Sequence, residues 1–124
     1  MSDKNLTSAL AYYQALNDKD LTTAEKYLHP NVKLISPLAT VTGKAAVLDS
    51  LVGFTKVCNK VVIRAQFNSG NQVMLALNAE FVAPIGTLRT AVLMQFKDGL
   101  IHSNELFYDG KQVAVQKDTI FAQS

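Results

Sequence analysis

Few side chains in this 124-residue chain could carry chemistry by themselves. Its one cysteine, Cys58, has Lys56 and Lys60 as charged neighbours and no histidine close in sequence, so nothing marks it as an activated thiolate. A free cysteine of that kind behaves as a small buried hydrophobe, and a single cysteine forms no intramolecular disulfide. His29 and His102 have no second cysteine or acidic cluster at ligand spacing, so neither a metal nor another cofactor is expected. Ser36 is the residue that breaks its surroundings. In "NVKLISPLATVTGK", Asn31 to Lys44, an apolar run stops at a serine-proline pair. A serine hydroxyl with no paired histidine does not take up a proton near neutral pH, so Ser36 suits hydrogen bonding to a ligand or a water better than base catalysis.

The elements that must position such groups come in two blocks. Leu6, Ala9, Leu10, Tyr13 and Leu16 share a stripe that predicts a first helix. "DLTTAEKYLHP" predicts a second, capped by Asp20 or Thr22 and stopped by Pro30. "VKLIS" is a short strand, and "TGKAAVLDSLVGF" a third helix with Val47, Leu48, Leu51 and Phe54 inward. From Val61 the period changes to alternation: "KVVIRAQF", "QVMLALNAEFV", "LRTAVLMQF" and "LIHSNELFY" are four strands joined by short turns. Helices first and a strand meander after them is an α+β order, a curved sheet with helices on one face. Val73, Leu75, Leu77, Ala79 and Phe81 fall on one side of their strand and should face the interior.

Composition fits one domain over residues 1–124. The chain is 48% hydrophobic and 18% charged, a balance that can bury a core. The net charge of +2 is scattered, which excludes the concentrated basic patch a nucleic-acid partner requires. No apolar stretch is long enough to cross a bilayer and the first residues are polar, so a cytoplasmic protein without a membrane partner is expected.

Taken in order, "YYQALNDKDL", "YLHPNVKLISP", "TGKAAVLDSL" and "FKDGLIHSNELFYD" make the chain resemble the nuclear-transport-factor-2-like superfamily, in particular its SnoaL-like and ketosteroid-isomerase-like members, from Leu6 to Asp109. The resemblance implies a cone: a strongly bent antiparallel sheet wrapped around the three helices, a deep apolar cavity inside, and commonly a homodimer through the outer sheet face. It also implies where isomerase chemistry would sit. The oxyanion-stabilising tyrosine falls on Tyr12, the general base on Ser36 and the protonated acid on Val92. Two of the three are absent here, because serine is no base at neutral pH and valine donates no hydrogen bond. The epoxide-hydrolase relatives need an Asp-Arg-Asp set, and no pair of aspartates falls on inward strand positions beside Arg64 or Arg89, the only arginines.

A substitute acid is expected at Glu105. The resemblance places Phe107 toward the cavity, and period 2 then turns Ile101, Ser103, Glu105 and Asp109 inward and His102, Asn104, Leu106 and Tyr108 outward. Desolvation would raise the Glu105 carboxyl toward a useful range, the alternative being a rim position paired with Arg64 or Arg89. His29 reads as a helix C-terminal residue and His102 as an interface residue. Leu28, Leu51, Val73, Leu75, Leu77, Val92, Met94, Ser103 and Phe107 are expected to line the cavity, and Met74, Ala76, Ala91, Leu93 and Leu106 to supply an apolar outer face for a homodimer. The expected function is binding of a small apolar or carbonyl-containing molecule, with Tyr12, Glu105 and Ser36 as candidate catalytic groups. The rival is a non-catalytic dimeric binding or protein-interaction module.

Overall fold

The computed structural model describes residues 3–114. Helix α1, Asp3–Asn17, buries Ala9, Tyr12, Tyr13, Ala15 and Leu16, with Leu6 and Leu10 partly covered. The predicted stripe is present and broader, because both neighbouring tyrosines are enclosed. The helix ends in a Schellman arrangement: Lys19 N–H donates to Leu16 O at 3.0 Å and Asp20 N–H to Ala15 O at 2.9 Å, with Lys19 at φ 58°. Glycine usually holds that left-handed position. Here the lysine ammonium donates to Thr55 O at 2.7 Å and Cys58 O at 2.6 Å, so the strained residue is also a tie to another part of the chain.

Helix α2, Leu21–Glu25, is capped by the Asp20 carboxylate, which accepts from Thr23 N–H at 3.1 Å and Thr23 Oγ1 at 2.6 Å. It stops well before Pro30. Strand β1, Leu28–Ile35, begins earlier than the sequence pattern predicts and contains the proline. Pro30 fits there because the pairing with the last strand breaks register between Leu28 and Lys33, where no ladder hydrogen bond is required of it. His29 is therefore a strand residue, and its Nδ1 accepts from Asn31 N–H at 3.0 Å.

A short strand that the sequence did not announce, β2, Thr40–Thr42, pairs back on β1, and Gly43 at φ 98° leads into α3, Lys44–Val57. Val47, Ser50, Leu51, Gly53 and Val57 are buried on α3. With no intervening loop the chain extends at Cys58 into β3, Cys58–Ser69, followed by β4, Gln72–Phe81, β5, Thr87–Lys97, and β6, Leu100–Phe107. Asp98 and Gly99 both take positive φ between the paired Lys97 and Leu100, the geometry of a tight two-residue hairpin. A last short helix, α4, Gly110–Val113, is capped by Asp109, whose Oδ1 accepts from Lys111 N–H at 3.0 Å.

The six strands run in the order β2-β1-β6-β5-β4-β3. One pairing departs from the antiparallel expectation: β1 and β6 are parallel, since the first strand enters beside the last instead of by a hairpin. Helix α1 touches β3, β4 and also β6. At roughly 4.8 Å per strand, β3 and β6 stand about 14 Å apart in a flat sheet, more than a helix roughly 10 Å across spans easily, so the sheet curls around α1. Register shifts at Cys58/Lys60 and Ile63/Ala65 help bend β3. Asn17, the last residue of α1, fastens the helix to that strand: its Nδ2 donates to Val61 O at 2.9 Å and its Oδ1 accepts from Val61 N–H at 2.7 Å. The chain is an α+β fold of the curved-sheet type, with no helix among the described residues long and apolar enough to cross a membrane.

Candidate functional site

Alternation on β4 and β5 holds as predicted, with Val73, Leu75, Leu77, Ala79 and Phe81 buried on one and Leu88, Thr90, Val92, Met94 and Phe96 on the other. On β6 it does not. Gln95 faces Ser103 while Phe96 faces Ile101, so His102 is an extra residue on β6 and the facing of every later position reverses. Ile101 and Asn104 are buried, Leu106 and Tyr108 turn inward, and Phe107 is 47% exposed. Glu105 and Ser103 therefore fall on the outer side, and Asp109 is exposed as the cap of α4. The expected inward Glu105 is corrected by this one-residue bulge.

Between the helices and the sheet lies a chamber of about 80 Å³. Its apolar wall is Leu16, Leu34, Leu51, Phe54, Val61, Leu77, Ala79, Phe81, Leu88, Val92, Leu106 and Val113. Of the residues named from the sequence, Leu51, Leu77 and Val92 are part of this wall. Leu28, Val73, Leu75 and Met94, expected in the lining, are instead solid core, each 2% exposed or less and not in contact with the chamber. Ser103 and Phe107 face away from it.

The polar groups at the wall are Tyr12, Tyr13, Ser36, Ser50, Thr90, Asn104 and Tyr108. Three have hydroxyls committed to their own backbone surroundings. Ser50 Oγ donates to Val47 O at 2.7 Å and Thr90 Oγ1 to Leu88 O at 3.3 Å. Ser36 Oγ donates to Ala39 O at 3.0 Å and accepts from Ala39 N–H at 3.3 Å, so this serine closes the β1–β2 turn, with the Tyr108 hydroxyl close by. Its place at the end of an apolar run is thereby explained: it is the hinge pin of a hairpin at the chamber wall.

Tyr12 and Tyr13 pack edge to face with ring centroids 5.2 Å apart. Burial pushes the Tyr12 hydroxyl far above the usual tyrosine range, with proximity to Tyr13 adding to it and no hydrogen bond opposing it. Burial likewise pushes Tyr13 up to about 12, partly offset by a hydrogen bond from Asn104. Tyr108 is raised by burial, which the Ser36 contact moderates. No Asp, Glu, Lys, Arg or His is part of the described lining, so the chamber is uncharged at neutral pH. Tyr12 is part of the chamber lining. Asn104, Tyr13 and Tyr108 were missed as a group, although Ile101, Leu106 and Tyr108 are spaced five and two apart, an odd step that signals a bulge within an alternating strand.

The two histidines meet outside this chamber, ring centroids 4.9 Å apart at the junction of β1 and β6. Among the described residues no group of three His, Cys, Asp or Glu side chains comes together to hold a metal. Cys58 is buried, and burial pushes its thiol up to about 11, which suits a structural role.

A helix-filled curved sheet enclosing an apolar chamber defines the nuclear-transport-factor-2-like class. Residues 9–104 match the model of the SnoaL-like domain, and the chain belongs to that family. Among solved structures it is similar to an NTF2-like protein of unknown function from Cytophaga hutchinsonii, with 22% identity, TM-score 0.79 and coverage of 89% of this chain and 94% of that one. It is also similar to TerC co-crystallised with polyporic acid, at 20% identity, TM-score 0.79 and coverage of 93% and 98%. A de novo designed protein with a curved β-sheet matches at 20% identity, TM-score 0.84 and 96% of each chain. No curated protein matches the chain. A fold reached both by natural proteins and by design fixes the frame and leaves the function to the residues inside it.

Proposed function

We propose that the protein binds a small, uncharged, largely apolar molecule in the chamber between α1, α3 and the sheet. The observation that carries this reading is the combination of an apolar wall with neutral polar groups and no ionisable side chain at physiological pH. Burying an ion there would cost several kcal/mol with no counter-charge to offset it, whereas a neutral hydroxyl, carbonyl or amide finds the Tyr12 and Tyr13 hydroxyls and the Asn104 carboxamide. TerC, co-crystallised with polyporic acid, is a precedent for an organic molecule on this fold. Any reaction in the chamber would have to proceed without a carboxylate or imidazole from the described lining, which favours binding over proton abstraction.

A cavity of roughly 150 Å³ is known to take benzene, so a ring of that size enters this smaller chamber when one wall yields. The wall carried by the shortest element is α4, whose Val113 is 2% exposed and closes one side. A thermal-shift comparison tests the reading: cyclohexenone and phenol should raise the melting temperature in a saturable way, and benzoate and benzylammonium should not. Charged compounds stabilising the fold as well as their neutral counterparts would overturn it.

We also propose that the outer sheet face pairs with a second copy of the chain. Phe67, Met74 and Leu93 form one cross-strand row, which Glu105 ends on β6, and Ala65, Ala76, Ala91 and Phe107 form the next. Phe67 is 64% exposed and Phe107 47%, and exposed aromatic side chains on a sheet face are of the kind that a self-complementary dimer covers. Leu106, expected in this face, gives up its place to Phe107 because of the bulge.

A further inference from the structure

The molecule that occupies the chamber is constrained further by Asn104, and this step rests on the binding reading above. Asn104 is 95% buried at the chamber wall, and its Oδ1 has no hydrogen-bond partner. Native proteins rarely leave a buried amide oxygen unpaired, because removal from water is unfavourable unless another donor replaces it. The amide N–H₂ end of Asn104 is directed to the Tyr13 hydroxyl, which leaves Oδ1 as the open end. The other hydroxyls with assigned donors, on Ser36, Ser50 and Thr90, point theirs at Ala39 O, Val47 O and Leu88 O. The second unpaired buried carboxamide, Asn78, makes the contrast: it lies on the outer side of β4 between Val62 and Arg89 and faces no chamber.

We propose that the bound molecule carries a hydrogen-bond donor, a hydroxyl or N–H on a small apolar ring, and that Asn104 Oδ1 accepts from it. A phenol, an enol or an indole-type N–H meets this description. A ketone or ether without a donor does not, because it competes for the tyrosine hydroxyls and leaves Oδ1 unpaired. The recognition is therefore directional: tyrosine hydroxyls supply one side of the contact and the Asn104 carbonyl the other.

Three single-ring probes separate the possibilities in NMR titrations of the ¹⁵N-labelled protein: phenol, which donates and accepts; anisole, which only accepts; and toluene, which matches phenol in size and does neither. The expected result is phenol binding about tenfold tighter than anisole or toluene, the usual scale for one satisfied buried hydrogen bond. In Asn104→Leu, that preference should fall to within about twofold, while toluene binds at least as well as before. Anisole binding as tightly as phenol to the unmodified protein would overturn the donor assignment and leave the neutral-chamber reading standing. Saturable shifts with none of the three would overturn both. The wild-type ratio needs no variant to fold, so it decides by itself where Asn104→Leu is unstable; a preference that survives in a folded Asn104→Leu also rejects the proposal.

Discussion

Asn104 of β6 stands beside the Tyr13 hydroxyl of α1 because His102 is an extra residue in its strand. Strict alternation from Ile101 would have delivered Glu105 to the interior instead. One inserted residue thus decides whether the chamber holds a carboxylate or a carboxamide, and with it whether acid-base chemistry or neutral recognition is available there.

Glu105→Gln should leave ligand binding unchanged within about twofold, and the affinity for phenol should stay level between pH 5 and 8, since no described lining group titrates in that window. Isothermal titration at several pH values checks both. A sigmoidal dependence that disappears in Glu105→Gln would place the carboxylate in the site after all.

Asn17 makes two hydrogen bonds to the Val61 backbone, one in each direction, where α1 meets the start of β3. Asn17→Ala removes both and leaves a partly buried N–H and C=O without partners. The expected loss is about 2–3 kcal/mol in urea unfolding, with an unchanged slope against denaturant. A loss below about 0.5 kcal/mol would mean that water replaces the side chain at no cost.

Alkaline stability follows from the buried acids. Cys58 rises from 9.0 to about 11 and Tyr13 from 10.0 to about 12 on folding. Both are raised, so the folded state holds protons that the unfolded chain releases; their contribution is complete below pH 9 and is lost as pH rises through 11 and 12. The melting temperature should begin to fall above about pH 9, and Cys58→Ala should move that onset toward pH 10. An onset that ignores Cys58→Ala would contradict its buried, neutral state.

Phe67→Arg places a charge at the β3 end of the apolar outer row that Phe67 forms with Met74 and Leu93. Sedimentation velocity should show a dimer for the unmodified protein and a monomer for the variant, with the chamber's ligand affinity retained. A monomeric wild type at tens of micromolar would remove the proposed interface.

Much of the frame was readable from side-chain periodicity. Leu6 to Leu16 shows the helical stripe and Val73 to Phe81 the strict alternation, because each segment has one apolar face that must be covered. What escaped depends on backbone irregularity or on partners distant in sequence. Pro30 looked like a helix stop and is a strand residue at a register break, since proline is equally compatible with either. Leu28, Val73, Leu75 and Met94 look like cavity residues in sequence, yet whether an inward residue meets space or another side chain depends on how the helices seat. The β6 bulge was the costliest omission: anchoring the strand on Phe107 exchanged its two faces, and with them Asn104 for Glu105.

The most direct test is a ¹⁵N-edited NOE experiment on the free protein, reading contacts from the Asn104 side-chain amide. Cross-peaks from that NH₂ group to the Tyr13 ring, with the Glu105 side chain showing none to Tyr12 or Tyr13, are the predicted result. Contacts from Glu105 to the tyrosine rings, with Asn104 silent, would contradict the bulge and the neutral chamber built on it.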